Sequence, residues 1–252
     1  MKTLICSDVH LEDLPEGQAN LKEFVAFLKD IDAGQFNRLI LLGDLFDFWF
    51  EYRHVIFSGY FDVLRALADL HDRGVELHLV CGNHDFWAGR FLENHLGMTV
   101  HQNDFRCTFE SQRALFVHGD GIDKRDYGYR LFKYIARSRL AIGLFGLIHP
   151  DWAMAIARKV SSASRSVQKN TEPGNDRAAR AIESFARGVL EAGEADAVLC
   201  GHAHHATRVE VEAPNGGPGV YINTGAWTNH RDYVEWDGQT FTQKKFVGAQ
   251  ES

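Results

Sequence analysis

The sequence predicts an α/β fold with a mostly parallel inner sheet, and three observations carry that prediction. Short apolar runs alternate with stretches of helix-like periodicity through residues 3–80, the rhythm of βαβ units. Several apolar runs break off into Asp, Asn or His preceded by Gly or Ser, and ligand sites of open α/β sheets gather at the carboxyl ends of strands. Finally, 252 residues with 45% hydrophobic and 24% charged content suit one large core, so a single domain over 1–252 carrying an insertion is expected.

In chain order, "TLIC" at 3–6 reads as a strand, 18–30 as an amphipathic helix, "RLILL" at 38–42 as a strand, 57–72 as a helix and "ELHLV" at 76–80 as a strand. Further strands are expected at 105–109, 113–117, 196–200, 206–212, 219–223, 231–236 and 240–246, the later ones spaced like hairpins. Residues 127–165 break the rhythm with a long helical stretch, "LAIGLFGLIHP" and "WAMAIA", and a Ser/Arg tail. "NTEPGND" at 170–176 reads as a loop in which Pro173 and Asp176 start a helix reaching about residue 192.

A formal charge of −7 argues against a nucleic-acid partner. Cys6, Cys81, Cys107 and Cys200 are widely spaced and form no C-x-x-C, which suits reduced thiols in the cytosol. The opening "MKTLICSDVH" has no basic stretch followed by a long apolar one, and no run reaches the length of a membrane span, so a cytoplasmic protein, soluble or peripheral, is expected. The sequence carries no signal for oligomeric state, which packing decides.

Chemistry is concentrated in the strand endings. "SDVH" supplies Asp8 and His10, "GDLFD" Asp44 and Asp47, "GNHD" Asn83, His84 and Asp85, "VHGD" His118 and Asp120, and "GHAH" His202 and His204. On an extended segment residues i and i+2 face one side, so Asp8 with His10, and His202 with His204, can each grip one ion. Glycines before Asp44, Asn83 and His202 permit sharp turns and close approach. Carboxylate, imidazole and amide oxygen together suit Mn²⁺, with Fe²⁺ or Zn²⁺ as alternatives. Asp8, His10, Asp44, Asn83, His118, His202 and His204 are too many for one tetrahedral ion; two divalent ions about 3.5–4 Å apart sharing a carboxylate use them well. Asp47 and Asp120 are read either as support for a ligand or as turn and cap residues. His54, His71, His78, His95, His101, His205 and His230 read as packed or surface side chains.

The blocks D-x-H, G-D-x-x-D, G-N-H-D, His-Gly and G-H-x-H stand in this order along the chain, and on them the sequence resembles the calcineurin-like metallophosphoesterase superfamily. The resemblance implies a four-layer α-β-β-α sandwich with a dinuclear site at one edge of two sheets. It assigns Asp8, His10 and His204 to one ion, Asn83, His118 and His202 to the other, and Asp44 to both. It also places His84 beside the site as a donor to the leaving oxygen, with Asp85 orienting its ring.

Within the superfamily, "HGDGIDKRDYGYR" at 118–130 and "HPDWAMAIARKVSSASR" at 149–165 are most similar to the UDP-2,3-diacylglucosamine hydrolases of lipid A biosynthesis. The resemblance implies a glycolipid nucleotide substrate, release of UMP, and peripheral association with the cytoplasmic face of the inner membrane. It makes 123–170 a helical lid and names Asn83, His84, Asp126, Tyr129, Ser162, Arg165 and Lys169 as substrate contacts. The best-known members read Gly-Asn-Arg-Asp where this chain has Gly82-Asn83-His84-Asp85. Arginine clamps a diphosphate bidentately, whereas histidine also donates a proton, so another phosphodiester, dinucleoside polyphosphate or phosphoprotein is the alternative substrate.

The apolar stretch at 140–157 has two readings: a helix pair buried on its own sandwich, or an acyl-chain chamber and membrane-facing cap. Residues 123–170 hold ten Lys/Arg against three Asp, a formal +7 on a chain of −7, which favours contact with an anionic leaflet or a phosphorylated substrate.

Overall fold

The computed structural model describes residues 2–109, 112–157, 159, 172–214 and 217–248. Ser162, Arg165 and Lys169 lie outside the described residues. The chain runs β1 Lys2–Cys6, α1 Gln18–Asp30, β2 Phe36–Leu41, α2 Phe61–Asp72, β3 Glu76–Val80, α3 Arg90–Leu96, β4 Thr99–His101, β5 Asp104–Phe109 and β6 Gln112–Val117. It continues through α4 Tyr127–Ala136, α5 Arg139–Phe145, α6 Pro150–Ala157 and α7 Glu172–Glu191. Last come β7 Ala197–Cys200, β8 Thr207–Glu212, β9 Pro218–Asn223, α8 Trp227–His230, β10 Asp232–Trp236 and β11 Phe241–Lys245.

Two sheets form. The first has the order β11-β10-β1-β2-β3-β4, with β1 to β4 parallel and β10 and β11 antiparallel. The second has the order β5-β6-β7-β9-β8, with β6, β7 and β9 parallel. The parallel strands read as near-continuous apolar runs because both of their faces are covered. Ile5, Ile40, Leu42 and Val80 of the first sheet pack on Phe116, Ala197, Leu199 and Ile222 of the second. Their neighbours Leu4, Cys6, Leu39, Leu41, Leu77 and Leu79 turn the other way onto Phe24, Leu28, Val63 and Leu67 of α1 and α2. On the far side Leu115, Val198 and Tyr221 meet Ile182, Ala186 and Leu190 of α7. The strands' period of two thus builds three cores and four layers, an α-β-β-α sandwich.

Several expectations need correction. α3 and β4 were not foreseen: α3 has only seven residues, closed by Gly97 at φ 62°, and β4 has three, too short for a periodic signal. The loop expected over 170–176 gives way to helix from Glu172; Pro173 is tolerated there because first-turn N–H groups have no intrahelical partner. The long helical stretch of 127–165 is three helices up to Ala157, with Ser138 capping α5 by accepting the Ala141 N–H at 3.2 Å.

Those three helices and the turn between α5 and α6 bury Ala136, Ala153, Met154 and Ala157 but expose Leu140 (73%), Leu147 (83%) and Trp152 (70%), so they do not form a helix pair buried on the sandwich. They dock through Phe145, whose ring lies 4.6 Å from Trp87 and 4.9 Å from Phe50, and through a hydrogen bond from Trp87 Nε1 to the Ala136 carbonyl. No single described helix is long and apolar enough to cross a membrane.

Candidate metal centre

The five strand endings come from the C-terminal ends of β1, β2 and β3 in one sheet and β6 and β7 in the other. The backbone leaves these strands differently from the extended path expected from i, i+2 spacing. Asp8 (φ 53°), His10 (47°), Asp44 (53°), His202 (65°) and His204 (55°) are all left-handed. Such a residue costs about 1–2 kcal/mol when it is not Gly, and surrounding bonds must hold it. Asp8 and His10 donate their N–H groups to the Gly43 and Asp44 carbonyls at 3.1 and 2.9 Å, and His202 N–H reaches Asp8 Oδ2 at 2.9 Å. Gly82 has its reason in proximity, since a Cβ there would sit 2.2 Å from Asp44 Oδ1.

Six of the seven expected ligands fall into two groups whose donor atoms lie within 4.8 Å of one another: Asp8, His10 and His204, and Asp44, His118 and His202. His10 Nε2 is 3.2 Å from His204 Nε2, which is 3.1 Å from Asp8 Oδ1. The groups adjoin through Asp44, whose Oδ2 is 3.8 Å from His10 Nε2 and 3.3 Å from His118 Nε2. The seventh, Asn83, sets its Oδ1 3.3 Å from His118 Nε2.

The donor set fits divalent cations. Asp8 Oδ1 is fully buried, makes no hydrogen bond of good geometry and faces the His204 imidazole at 3.1 Å, a costly state that further positive charge would relieve. His118 Nδ1 donates to the Leu42 carbonyl at 2.8 Å, which turns Nε2 toward Asp44, the usual arrangement of a metal-ligating imidazole. Burial disfavours charge on Asp44, yet His118 and His84 hold its pKa well below the ordinary value. Burial likewise opposes protonation of His118, but Asp44, Asp8 and Asp120 raise its pKa. Burial prevails at His10 and His202, lowered to about 3 and about 4. Carboxylates so concentrated favour a multivalent positive charge.

Residues 1–206 match the family model of calcineurin-like phosphoesterases. The chain belongs to the calcineurin-like phosphoesterase family. As a member it is a metal-dependent phosphoric ester hydrolase. It is similar to UDP-2,3-diacylglucosamine hydrolases from three organisms. That of Porphyromonas gingivalis is 32% identical over 219 residues, 80% of each chain. That of Neisseria gonorrhoeae is 30% identical, covering 93% of this chain and 95% of its own, and that of Ectopseudomonas mendocina is 27% identical, covering 96% and 97%.

Around this phosphoesterase centre the supporting residues differ in part from expectation. Asp85 does not orient His84: its carboxylate accepts the Gly82 and Leu45 N–H groups at 2.7 and 2.8 Å, tying the β3 loop to the β2 loop. Burial and the neighbouring Asp44 raise its pKa to about 6. The His84 ring is held instead by the Asp47 carbonyl, 2.7 Å from Nδ1, which leaves Nε2 facing the centre, 3.9 Å from Asp44 Oδ2. Asp120 accepts the Tyr129 hydroxyl at 2.6 Å and lies 2.5 Å from Lys133 Nζ, fastening α4 to the loop after β6. Asp126 caps α4 by accepting the Tyr129 N–H at 2.9 Å.

Sequence reasoning missed Ser7 and Thr224, whose hydroxyls lie 2.6 Å apart, Ser7 also donating to Asp8 Oδ2. It missed Asn223 as well, whose Nδ2 donates to the Gly201 carbonyl at 2.7 Å. The signal was available: "VYINTG" is a sixth apolar run ending in polar residues and Gly.

Two clefts of the phosphoesterase meet at Asn83. A polar one of about 480 Å³ is lined by Asn83, His202, Asp123, Arg125, Asp126 and Arg177, with Ile182 and Ala178 among its apolar lining. An apolar one of about 550 Å³ runs from Asn83 and His84 beneath the three helices, between Trp87, Phe132, Phe145 and Ile156. Tyr129 lines both.

Proposed function

We propose that this phosphoesterase hydrolyses the pyrophosphate bond of UDP-2,3-diacylglucosamine to UMP and 2,3-diacylglucosamine 1-phosphate, at two divalent ions, Mn²⁺ foremost. The observation that carries this reading is the apolar cleft opening directly on Asn83 and His84. An aromatic and aliphatic trough beside a phosphate centre suits a substrate that carries hydrocarbon. The names of the similar hydrolases support the same substrate.

In this reading Asp8, His10 and His204 would hold one ion and Asn83, His118 and His202 the other, with Asp44 between the two sets. Divalent ions held there would supply positive charge for the phosphate oxygens and would acidify water. The chain's own residues do the rest. Asn83 and His84 stand where the two clefts join and position the phosphate between headgroup and acyl chains. The Asp47 carbonyl accepts the Nδ1 proton of His84, so Nε2 donates to the leaving oxygen from the imidazolium form. Burial opposes that form, while Asp44 and Asp47 favour it and raise the His84 pKa.

In this reading residues 123–170 serve as the lid, and Leu140, Leu147 and Trp152, exposed in its described part, rest with its basic residues on the anionic cytoplasmic face of the inner membrane. Manganese-loaded protein given UDP-2,3-diacylglucosamine in detergent micelles should release UMP in proportion to enzyme. Absence of UMP release, with bis(p-nitrophenyl) phosphate still hydrolysed, would refute the substrate while leaving the chemistry.

A further inference from the structure

A diphosphate substrate needs fixed positive charge beyond the ions themselves. The loop at Gly82–Asp85 brings no guanidinium, since position 84 is histidine with Nδ1 engaged by the Asp47 carbonyl at 2.7 Å. The apolar cleft has no arginine among its described lining residues. The polar cleft has two, Arg125 from the loop after β6 and Arg177 from α7, on the same lining as Asn83 and His202.

Their placement is organised by one carboxylate. Asp123 Oδ2 lies 2.5 Å from Arg177 Nε, and its Oδ1 accepts the Arg125 backbone N–H at 2.9 Å. The side chain of Arg177 is half exposed, so the ion pair adds little to stability. What it does is hold a long, flexible side chain at the cleft. A guanidinium held this way offers a planar fork to phosphate oxygens in the cleft.

We propose that Arg125 and Arg177 anchor the phosphate-bearing headgroup of the substrate in the polar cleft, supplying the guanidinium contact that position 84 does not provide. The proposal rests on the phosphoester reading above and adds specificity residues to it. The same recognition chemistry suits either the nucleotide half or the aminosugar phosphate half, so two soluble probes separate them, UMP and glucosamine 1-phosphate.

The test is calorimetric titration of each probe into manganese-loaded, full-length protein at low salt, for the parent, Arg125→Ala, Arg177→Ala, the double variant and Arg177→Lys. Thermal midpoint and manganese content serve as controls for folding and for the metal centre. The double variant should bind at least one probe about tenfold more weakly or worse, with both controls unchanged, and Arg177→Lys should recover part of the loss. Weakening of UMP places the nucleotide in the cleft; weakening of glucosamine 1-phosphate places the sugar there. Parent-like binding of both probes by the double variant, or no binding of either by the parent, would overturn the proposal. Because the titration needs no turnover, it reads the arginines independently of whether UMP is released from the lipid.

Discussion

Asp44 is where the two ligand groups adjoin, and its buried side chain also accepts the His84 N–H at 2.9 Å. Asp44→Asn keeps the shape and one acceptor oxygen but removes the negative charge facing His10, His84 and His118. Its kcat/KM should fall by more than the roughly 10- to 100-fold that loss of an outer partner of a metal ligand costs, with manganese content reduced and circular dichroism unchanged. At this scale much was legible in the letters, because Asp, His and Asn following buried apolar runs have no packing reason to be there. The manner of their meeting was not legible. The left-handed turn at Asp8 depends on the Gly43 carbonyl, and the Asp8 carboxylate depends on Ser7 and the His202 N–H. Asp85 looked like a partner for its neighbour His84, but its oxygens are taken by backbone N–H groups brought from another strand.

Among elements, α4 to α6 and their connecting turns stand apart, since they present Leu140, Leu147 and Trp152 to solvent at 70% exposure or more. Side chains of this size contribute about 1.5–3 kcal/mol each when removed from water. Replacing Leu140, Leu147 and Trp152 together by Gln should cut co-sedimentation with anionic vesicles at least roughly tenfold, while turnover of bis(p-nitrophenyl) phosphate, too small to need the lid, stays near parent level. Equal sedimentation of parent and triple variant would remove these helices from any membrane role. Periodicity announced helix here, yet it could not tell an inward from an outward apolar face, because both carry the same 3.6-residue stripe. That distinction came from Phe145 and Trp87, side chains distant in sequence that fix how α5 sits.

Across the whole molecule, β4 and β5 form matching edges of the two sheets, and a stack of His78, His101 and Phe105 spans them, with ring centroids 4.3–5.4 Å apart. Burial foremost, aided by Arg38 and His101 and opposed by Glu76, lowers the His78 pKa to about 4. An imidazole that protonates less readily when folded stabilises the native state fully above its unfolded pKa, about 6.5, and progressively less below it. Denaturant midpoints should therefore fall between pH 6.5 and 4, the window between the ordinary imidazole value and the lowered one. In His78→Phe, which keeps an aromatic ring in the stack, that decline should be shallower; an unchanged slope would rule out His78 as its source. The βαβ rhythm made the parallel strands legible, but assignment to one sheet or the other rests on which face meets which neighbour, information spread over the whole chain. One consequence follows from the centre drawing Asp8, His10, Asp44 and Asn83 from one sheet and His118, His202 and His204 from the other. Cations captured there act as rivets through the seam of the sandwich, worth about 2.7 kcal/mol at a free concentration of 100 times Kd. Stripping them with a chelator should quicken amide hydrogen exchange at residues 7–10, 43–47 and 201–204 in concert, and leave the opposite rim as slow as before.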